Sequence, residues 1–450
     1  MKETSADLWQ PQPGHIMRWT VTPGDEGEPA RLGLHQRRLL ARGLGAPTEW
    51  HAAVFDVDGA VDVEALEQSL KVLVARHSSL QLEVLEAGAV VRHRAEAMTW
   101  THLDCSRTTS NEETRQAVVD LVNAGCALSG YPSFVPLGIS RPDRSTIVLA
   151  MHQLHCDDWS VPVIADELAG LYAQCQAEPD SAPPMPTSFL AAVGEPAAHS
   201  VEPDDPRLDT WRRLLQATDG ELPTFPLSVG RSEAVRRPAT VVRRLADAEE
   251  IDALTELADR HGVSTYAVTL LALANAVSQL GGPERLDALT PVDTRRGGAA
   301  RPAVGWFTTT APLSIHAGRS GADLKAADRA VRDGMQLADV PLDEVIGALG
   351  GSEAPESRDA FLVSWLDYRH LPGAADAAAR AACHVSSAGR ADDVQLRLSR
   401  TADGLFVRAR HPEGDLARST LFALVDAWVS ELRALSADGL RPNLTLSGSA

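Results

Sequence analysis

The sequence predicts an α/β (α+β) protein built of two halves. Strand-like and helix-like segments alternate on both sides of a proline-rich stretch, and 450 residues exceed what one hydrophobic core usually supports. No internal repeat of roughly 20–50 residues is visible, so solenoids and propellers are excluded. The proline-rich stretch lies between Gln176 and Leu208, where Pro179, Pro183, Pro184, Pro186, Pro196, Pro203 and Pro206 stand among several acids. It reads as a linker at 179–208, joining an N-terminal half at 1–178 to a C-terminal half at 209–450.

In chain order, Glu49 to Asp58 alternates through Ala53, Phe55 and Val57, the pattern of a half-buried strand. Asp62 then precedes a helical stripe of Leu66, Leu70, Leu73 and Val74 that runs to His77. Leu80 to Val91 returns to strand-like alternation. Thr146 to Met151, rich in Ile147, Val148 and Leu149, predicts a strand, and Val161 to Tyr172 the helix after it. In the second half, Asp247 to His261 is an amphipathic helix stopped at Gly262, and Ser264 is placed to cap the apolar helix Tyr266 to Leu280. Strands are expected at Phe361 to Leu366, Val394 to Ser399 and Leu405 to Ala409, and a last helix near Ser419 to Leu435.

Apolar residues at 44% and charged residues at 23% make an ordinary soluble mix. The formal net charge of −19 opposes contact with phosphate backbones and anionic membranes, so no nucleic-acid or membrane partner is expected. Met1 to Gly14 has no apolar core behind basic residues, and no stretch reaches the roughly 20 apolar residues of a membrane helix. Cys105, Cys126, Cys156, Cys175 and Cys383 form no CxxC pair, which suits reduced thiols in cytoplasm. The histidines show no metal-ligand spacing such as HExxH, and no GxSxG or GxxxxGK[ST] occurs, so no bound metal or nucleotide is expected. Gly281-Gly282-Pro283 reads as a helix-ending turn. Gly297-Gly298, beside Arg295, Arg296 and Arg301, could contact a phosphate but reads rather as a mobile loop with solvated charges.

The run Met151-His152-Gln153-Leu154-His155-Cys156-Asp157-Asp158-Trp159-Ser160 resembles the HHxxxDGWS motif of condensation domains from nonribosomal peptide synthetases. His152, Asp157, Trp159 and Ser160 match; Gln153 stands at the second His and Asp158 at the Gly. The resemblance extends along nearly the whole chain. His35-Gln36-Arg37-Arg38-Leu39 is similar to AQxRLW, and Val74 to Leu80 to VxRHExLR, with Ser78 and Gln81 replacing its Glu and Arg. Ala253 to Leu280 is similar to the helices that open the family's second half. Pro291-Val292-Asp293-Thr294-Arg295 is similar to PVAGR, and Gly305 to Thr310 to GxFVNT, with Thr309 for its Asn. Leu337-Ala338 stands where the family has His-Gln before DxPFE, here Asp339 to Asp343, and YxDYAxW has no clear counterpart near Ser188 to Ala192.

What the resemblance implies is a divergent, free-standing member: two chloramphenicol-acetyltransferase-like halves in a V-shaped pseudo-dimer with a central tunnel. It implies a phosphopantetheine arm of a carrier protein as substrate, with no bound cofactor. The activity implied joins an acyl or aminoacyl thioester, held on an acyl or peptidyl carrier protein, to an amine or hydroxyl acceptor in natural-product and antibiotic biosynthesis. No adenylation, carrier or thioesterase segment is present, so the chain is expected to work in trans.

The thioester is already activated, so holding two reactants together can lower the barrier by roughly 7–11 kcal/mol, and a positioned base adds about 10²–10⁴-fold. Gln153 can orient through hydrogen bonds but is no base near neutral pH. His155 is a base by pKa, yet an i, i+2 shift along an extended segment moves it about 6–7 Å, and the alternative is that it packs. Asp158 adds negative charge where an oxyanion would develop. Candidate catalytic positions are Gln153, His155, His152 and Asp158, with His152 more in keeping with a structural role. By the resemblance, Asp157 pairs with Arg295, and Trp159 and Ser160 complete the frame. HQxxxDD is also similar to HRxxxDD of glycopeptide-synthetase X-domains, so a catalytically silent protein that binds a carrier or recruits a tailoring enzyme is the alternative.

Overall fold

The computed structural model describes residues 1–32, 36, 40, 48–86, 88–178, 202, 204–218, 220–230, 237–295, 302–337, 340, 345, 348–349, 360–387, 389 and 393–438. The chain divides into two compact units, and neither is continuous in sequence. One comprises Met1–Ala198, Arg295–Thr308 and Tyr368–Gly389; the other His199–Thr294, Thr309–Asp367 and Arg390–Ala450. A single division at 179–208 therefore leaves out two later segments of the first unit. Most of the proline-rich stretch lies outside the described residues, as do Ser188 to Ala192, Arg296 to Arg301, and all of Ala338 to Asp343 except Val340.

A seven-stranded sheet organises the first unit, in the order Lys2–Ser5, Cys383–Ser386, Trp50–Asp58, Arg144–His152, Phe134–Ser140, His15–Thr22, Thr99–Arg107. The first pair is parallel and the others antiparallel. Side-chain alternation along Arg144–His152 sends Ile147, Leu149 and Met151 into one core and Val148 and Ala150 into another. Helices Val63–Arg76 and Ser160–Ala177 supply the first core with Leu66, Leu70, Ile164 and Leu168; helix Asn111–Gly125 supplies the second with Val118 and Val122. Trp50–Asp58 is consequently buried on both faces rather than half-buried, and its alternation records two cores. Arg76 and His77, at the end of the first helix, both reach Glu167 on Ser160–Ala177, at 2.6 and 2.7 Å.

Leu80 to Val91, expected as one strand, is a 3₁₀ turn at Ser78–Gln81 followed by a hairpin of Leu82–Val84 and Val90–Arg92. The chain reverses near Gly88, whose φ of 79° is open to glycine without strain.

The second unit carries a six-stranded sheet in the order Pro238–Asp247, Gly404–Pro412, Gln395–Thr401, Leu362–Asp367, Arg285–Asp293, Thr308–His316. Helices Ala248–His261, Thr265–Gln279, Gly321–Gln336 and Asp415–Asp438 contribute Leu254, Leu271, Leu324 and Leu424 to its core. Asp247 forms a capping box with Glu250, Gly262 ends that helix at φ 64°, and Ser264 caps the next. Among the described residues, no helix is long and apolar enough to cross a membrane.

Candidate functional site

Strand Arg144–His152 carries the motif into a 3₁₀ turn, Gln153–His155, and a short link leads to helix Ser160–Ala177. The turn is anchored from several directions. His152 Nδ1 accepts the N–H of Leu154 at 3.1 Å, Gln153 donates its N–H to the Glu49 carbonyl at 2.9 Å, and Gln36 Nε2 donates to the Leu154 carbonyl at 2.6 Å. Gln36 is the one residue of the His35 to Leu39 motif that lies among the described residues, and it is buried against this turn.

His155 is enclosed. It is 1% exposed, its Nδ1 lies 2.6 Å from the Ser79 carbonyl, and its Nε2 is buried with no hydrogen-bond partner among the described residues. Burial pushes its pKa down to about 4, against the opposing effect of the Ser79 carbonyl. Burial, with the neighbouring His155, takes His152 to about 3. Both rings are thus neutral, inward-facing parts of the frame. Cys156 is also buried, and desolvation followed by the Asp157 charge raises its thiol pKa well above the ordinary value, so it offers no thiolate. Gln153 is partly buried.

Asp157 is the fixed point of the site. Its side chain is 2% exposed and that of Arg295 is 0%. Arg295 donates from Nη1 to Oδ2 and from Nη2 to Oδ1, each at 2.8 Å, a bidentate pair. The carboxylate also accepts the N–H of Ser160 at 3.0 Å and of Phe307 at 3.0 Å. It therefore caps the helix that Trp159 precedes without a side-chain cap of its own. Ser160 Oγ lies 2.7 Å from Asp157 Oδ1 and accepts the Gly305 N–H at 3.1 Å. The Arg295 guanidinium stacks 4.3 Å above the Phe307 ring. The structure thus brings together the motif, Arg295 and the segment from Gly305 to Thr308, the last of which sequence reasoning did not place at the motif. Trp159 packs partly buried against the core under the motif.

Asp158 points elsewhere. Its Oδ1 lies 3.6 Å from His51 Nδ1 and 4.0 Å from His384 Nε2, and those two nitrogens are 2.9 Å apart. Behind them, Tyr368 Oη lies 2.9 Å from His384 Nδ1. Sequence reasoning singled out Asp158 but missed all three partners, which come from strand Trp50–Asp58 and from a segment more than 200 residues away. Nothing local to His51 or His384 marks them.

A strand, a tight turn and a helix are thus held together by one buried carboxylate–guanidinium pair. The family model described as Condensation domain matches residues 35–362, and the chain belongs to that family. The chain is similar to the acyltransferase PapA3 of Mycobacterium tuberculosis, 25% identical over 248 residues, 54% of this chain and 52% of that one. The match thus spans about half the length of that relative. Among solved structures, PapA2 acyl transferase superposes with a TM-score of 0.85 at 20% identity, covering 97% of this chain and 100% of the other. The X-domain from teicoplanin biosynthesis superposes with a TM-score of 0.66 at 19% identity, covering 93% and 96%. These likenesses show the fold, the mixed α/β, chloramphenicol-acetyltransferase-like fold of condensation domains.

Proposed function

We propose that this chain is a condensation-type acyltransferase that joins an acyl or aminoacyl group, delivered as a thioester on the phosphopantetheine arm of a carrier protein, to an amine or hydroxyl in natural-product biosynthesis. The observation that carries the reading is the retained frame of the motif: Asp157 bound by Arg295 at 2.8 Å, with Ser160 and Phe307 on the same carboxylate. A frame this fully hydrogen-bonded holds the turn from His152 to His155 in one geometry, which catalysis by positioning requires. The names of PapA3 and PapA2, both acyltransferases, support the reaction class. With His152 and His155 buried and neutral, and Gln153 at the position of the second His, this reading assigns Gln153 to orientation of the acceptor rather than to proton abstraction.

The same absence of a base at position 153 favours a second reading, a silent domain that binds a carrier or recruits a tailoring enzyme. One experiment separates the two. Carrier proteins are loaded with acyl and aminoacyl groups, amine and alcohol acceptors are added, and carrier and product are followed by intact mass. Acyl transfer predicts loss of the acyl mass from the carrier and its gain by an acceptor. Gln153→Ala should then slow turnover about tenfold, the worth of one orienting hydrogen bond, and His155→Gln should retain it. Carrier binding without transfer to any acceptor would move the assignment to the silent domain.

A further inference from the structure

We infer that His51, Asp158 and His384 form a binding site for a divalent first-row transition-metal ion, with zinc as the ion to test. The site lies wholly within the first unit, and the inference does not depend on the acyl-transfer reading.

The sheet builds two of the ligands. Strands Trp50–Asp58 and Cys383–Ser386 pair antiparallel with Ser386 opposite His51 and His384 opposite Ala53. His51 and His384 are therefore diagonal neighbours on one face, close enough for long side chains to meet. Their ring centroids are 5.1 Å apart with the planes tilted by 53°. The third ligand arrives from the turn after strand Arg144–His152, whose His152 pairs with Trp50, and this brings Asp158 beside His51.

The donor atoms converge on one point. The separations are 2.9 Å between the two nitrogens, 3.6 Å from His51 Nδ1 to Asp158 Oδ1 and 4.0 Å from His384 Nε2 to the same oxygen. A tetrahedral zinc with bonds of about 2.0–2.2 Å spaces its ligand atoms by roughly 3.3–3.5 Å, a value the three separations bracket. One N–H···N hydrogen bond joins the two rings at 2.9 Å, while both separations to Asp158 exceed hydrogen-bond length. A cation at the common point takes all three.

The surroundings agree with a metal site. Tyr368 Oη lies 2.9 Å from His384 Nδ1, and in the tautomer that donates Nδ1–H to it His384 turns the lone pair of Nε2 toward His51 and Asp158, the kind of outer hydrogen bond that fixes a ligating histidine. His384 is fully buried and His51 nearly so, while the Asp158 side chain is 30% exposed, so the cluster is open to solvent on one side. Two imidazoles and one carboxylate suit zinc, iron, cobalt or nickel better than calcium or magnesium, which prefer all-oxygen sets. The replacement of the motif glycine also acquires a physical account, since glycine at 158 has no donor atom and aspartate completes the set. A divalent cation there would turn the local charge beside the motif from negative to positive.

The test is zinc binding by the full chain after chelator treatment, measured by titration calorimetry and by metal content after dialysis, with cobalt absorption in the visible reporting coordination. One zinc per chain is expected, with cobalt giving a tetrahedral spectrum. His51→Gln and Asp158→Gly should abolish that equivalent, and Tyr368→Phe should weaken it about 10–100-fold while leaving the stoichiometry. Asp158→Asn, of nearly unchanged size, decides the matter if Asp158→Gly fails to fold, as checked by circular dichroism in chelator. Surface histidines are present in every variant and cancel in the comparison. Wild type that takes up no stoichiometric zinc, or His51 and Asp158 variants that bind as wild type does, would overturn the site.

Discussion

If Arg295 is removed, the Asp157 carboxylate keeps the N–H groups of Ser160 and Phe307 but no positive charge, at 3% exposure. Loss of one partner from a buried ion pair costs about 3–5 kcal/mol, because the remaining charge stays desolvated. Arg295→Ala is therefore expected to lower the urea midpoint and the melting temperature by an amount of that order, whatever it does to turnover; an unchanged midpoint would remove the clamp from the account. The two buried histidines make a separate prediction about pH. Their folded values, about 3 for His152 and about 4 for His155, lie below the ordinary 6.5, so the unfolded chain binds more protons between those limits. Stability should fall as pH drops from about 6.5 toward 4, each histidine adding a slope of about 1.4 kcal/mol per pH unit. His155→Gln should flatten the measured slope by one proton, and an unaltered slope would mean that the ring already charges in the folded chain. At this scale the departures at Gln153 and Asp158 were legible in the sequence. Their surroundings were not, because His51, Tyr368 and His384 become neighbours only through strand pairing.

Elements whose ends are fixed by local chemistry were legible nearly to the residue. Asp62 accepts from Ala65 N–H at 3.0 Å, Asp247 and Glu250 bond reciprocally, and Ser264 accepts from Ala267 N–H at 3.2 Å, each at the helix start that the side chain indicates. The strand at Thr146 to Met151 was legible because its sheet has a core on each face and so takes a dense apolar run, and that at Leu405 to Ala409 because Leu405, Val407 and Ala409 alternate into one core. Strand Cys383–Ser386 fails both criteria. It is four residues long, and it is a strand because Lys2–Ser5 and Trp50–Asp58 flank it. Strand Thr99–Arg107 is an exposed sheet edge of mostly polar residues, which no hydrophobic period distinguishes from a loop. Leu80 to Val91 shows the opposite failure: its alternation is real in Leu82 and Val84, but the chain reverses near Gly88, which alternation alone does not register.

The first unit is assembled from three stretches of chain, and its stability should show it. Residues 1–178 contain the motif, both helices beneath it and six of the seven strands, so composition alone would let them stand as a domain. They lack Cys383–Ser386, whose loss leaves Trp50–Asp58 as an unpaired edge and Lys2–Ser5 without the strand it pairs with. They also lack Arg295, Gly305 and Phe307, so Asp157 would be buried with its guanidinium and two of its flanking segments missing. An unpaired central edge and an uncompensated buried charge fall close together in one unit, and the charge alone costs about 3–5 kcal/mol, a large share of a typical domain's stability of about 5–15 kcal/mol. Expressed by itself, 1–178 should therefore run as an aggregate in gel filtration and melt without a cooperative transition by circular dichroism. The same residues with 295–308 and 368–389 restored should recover that transition. A sharp melt from 1–178 alone would instead make the proline-rich stretch the true boundary and reduce the two later segments to accessories of an independent fold.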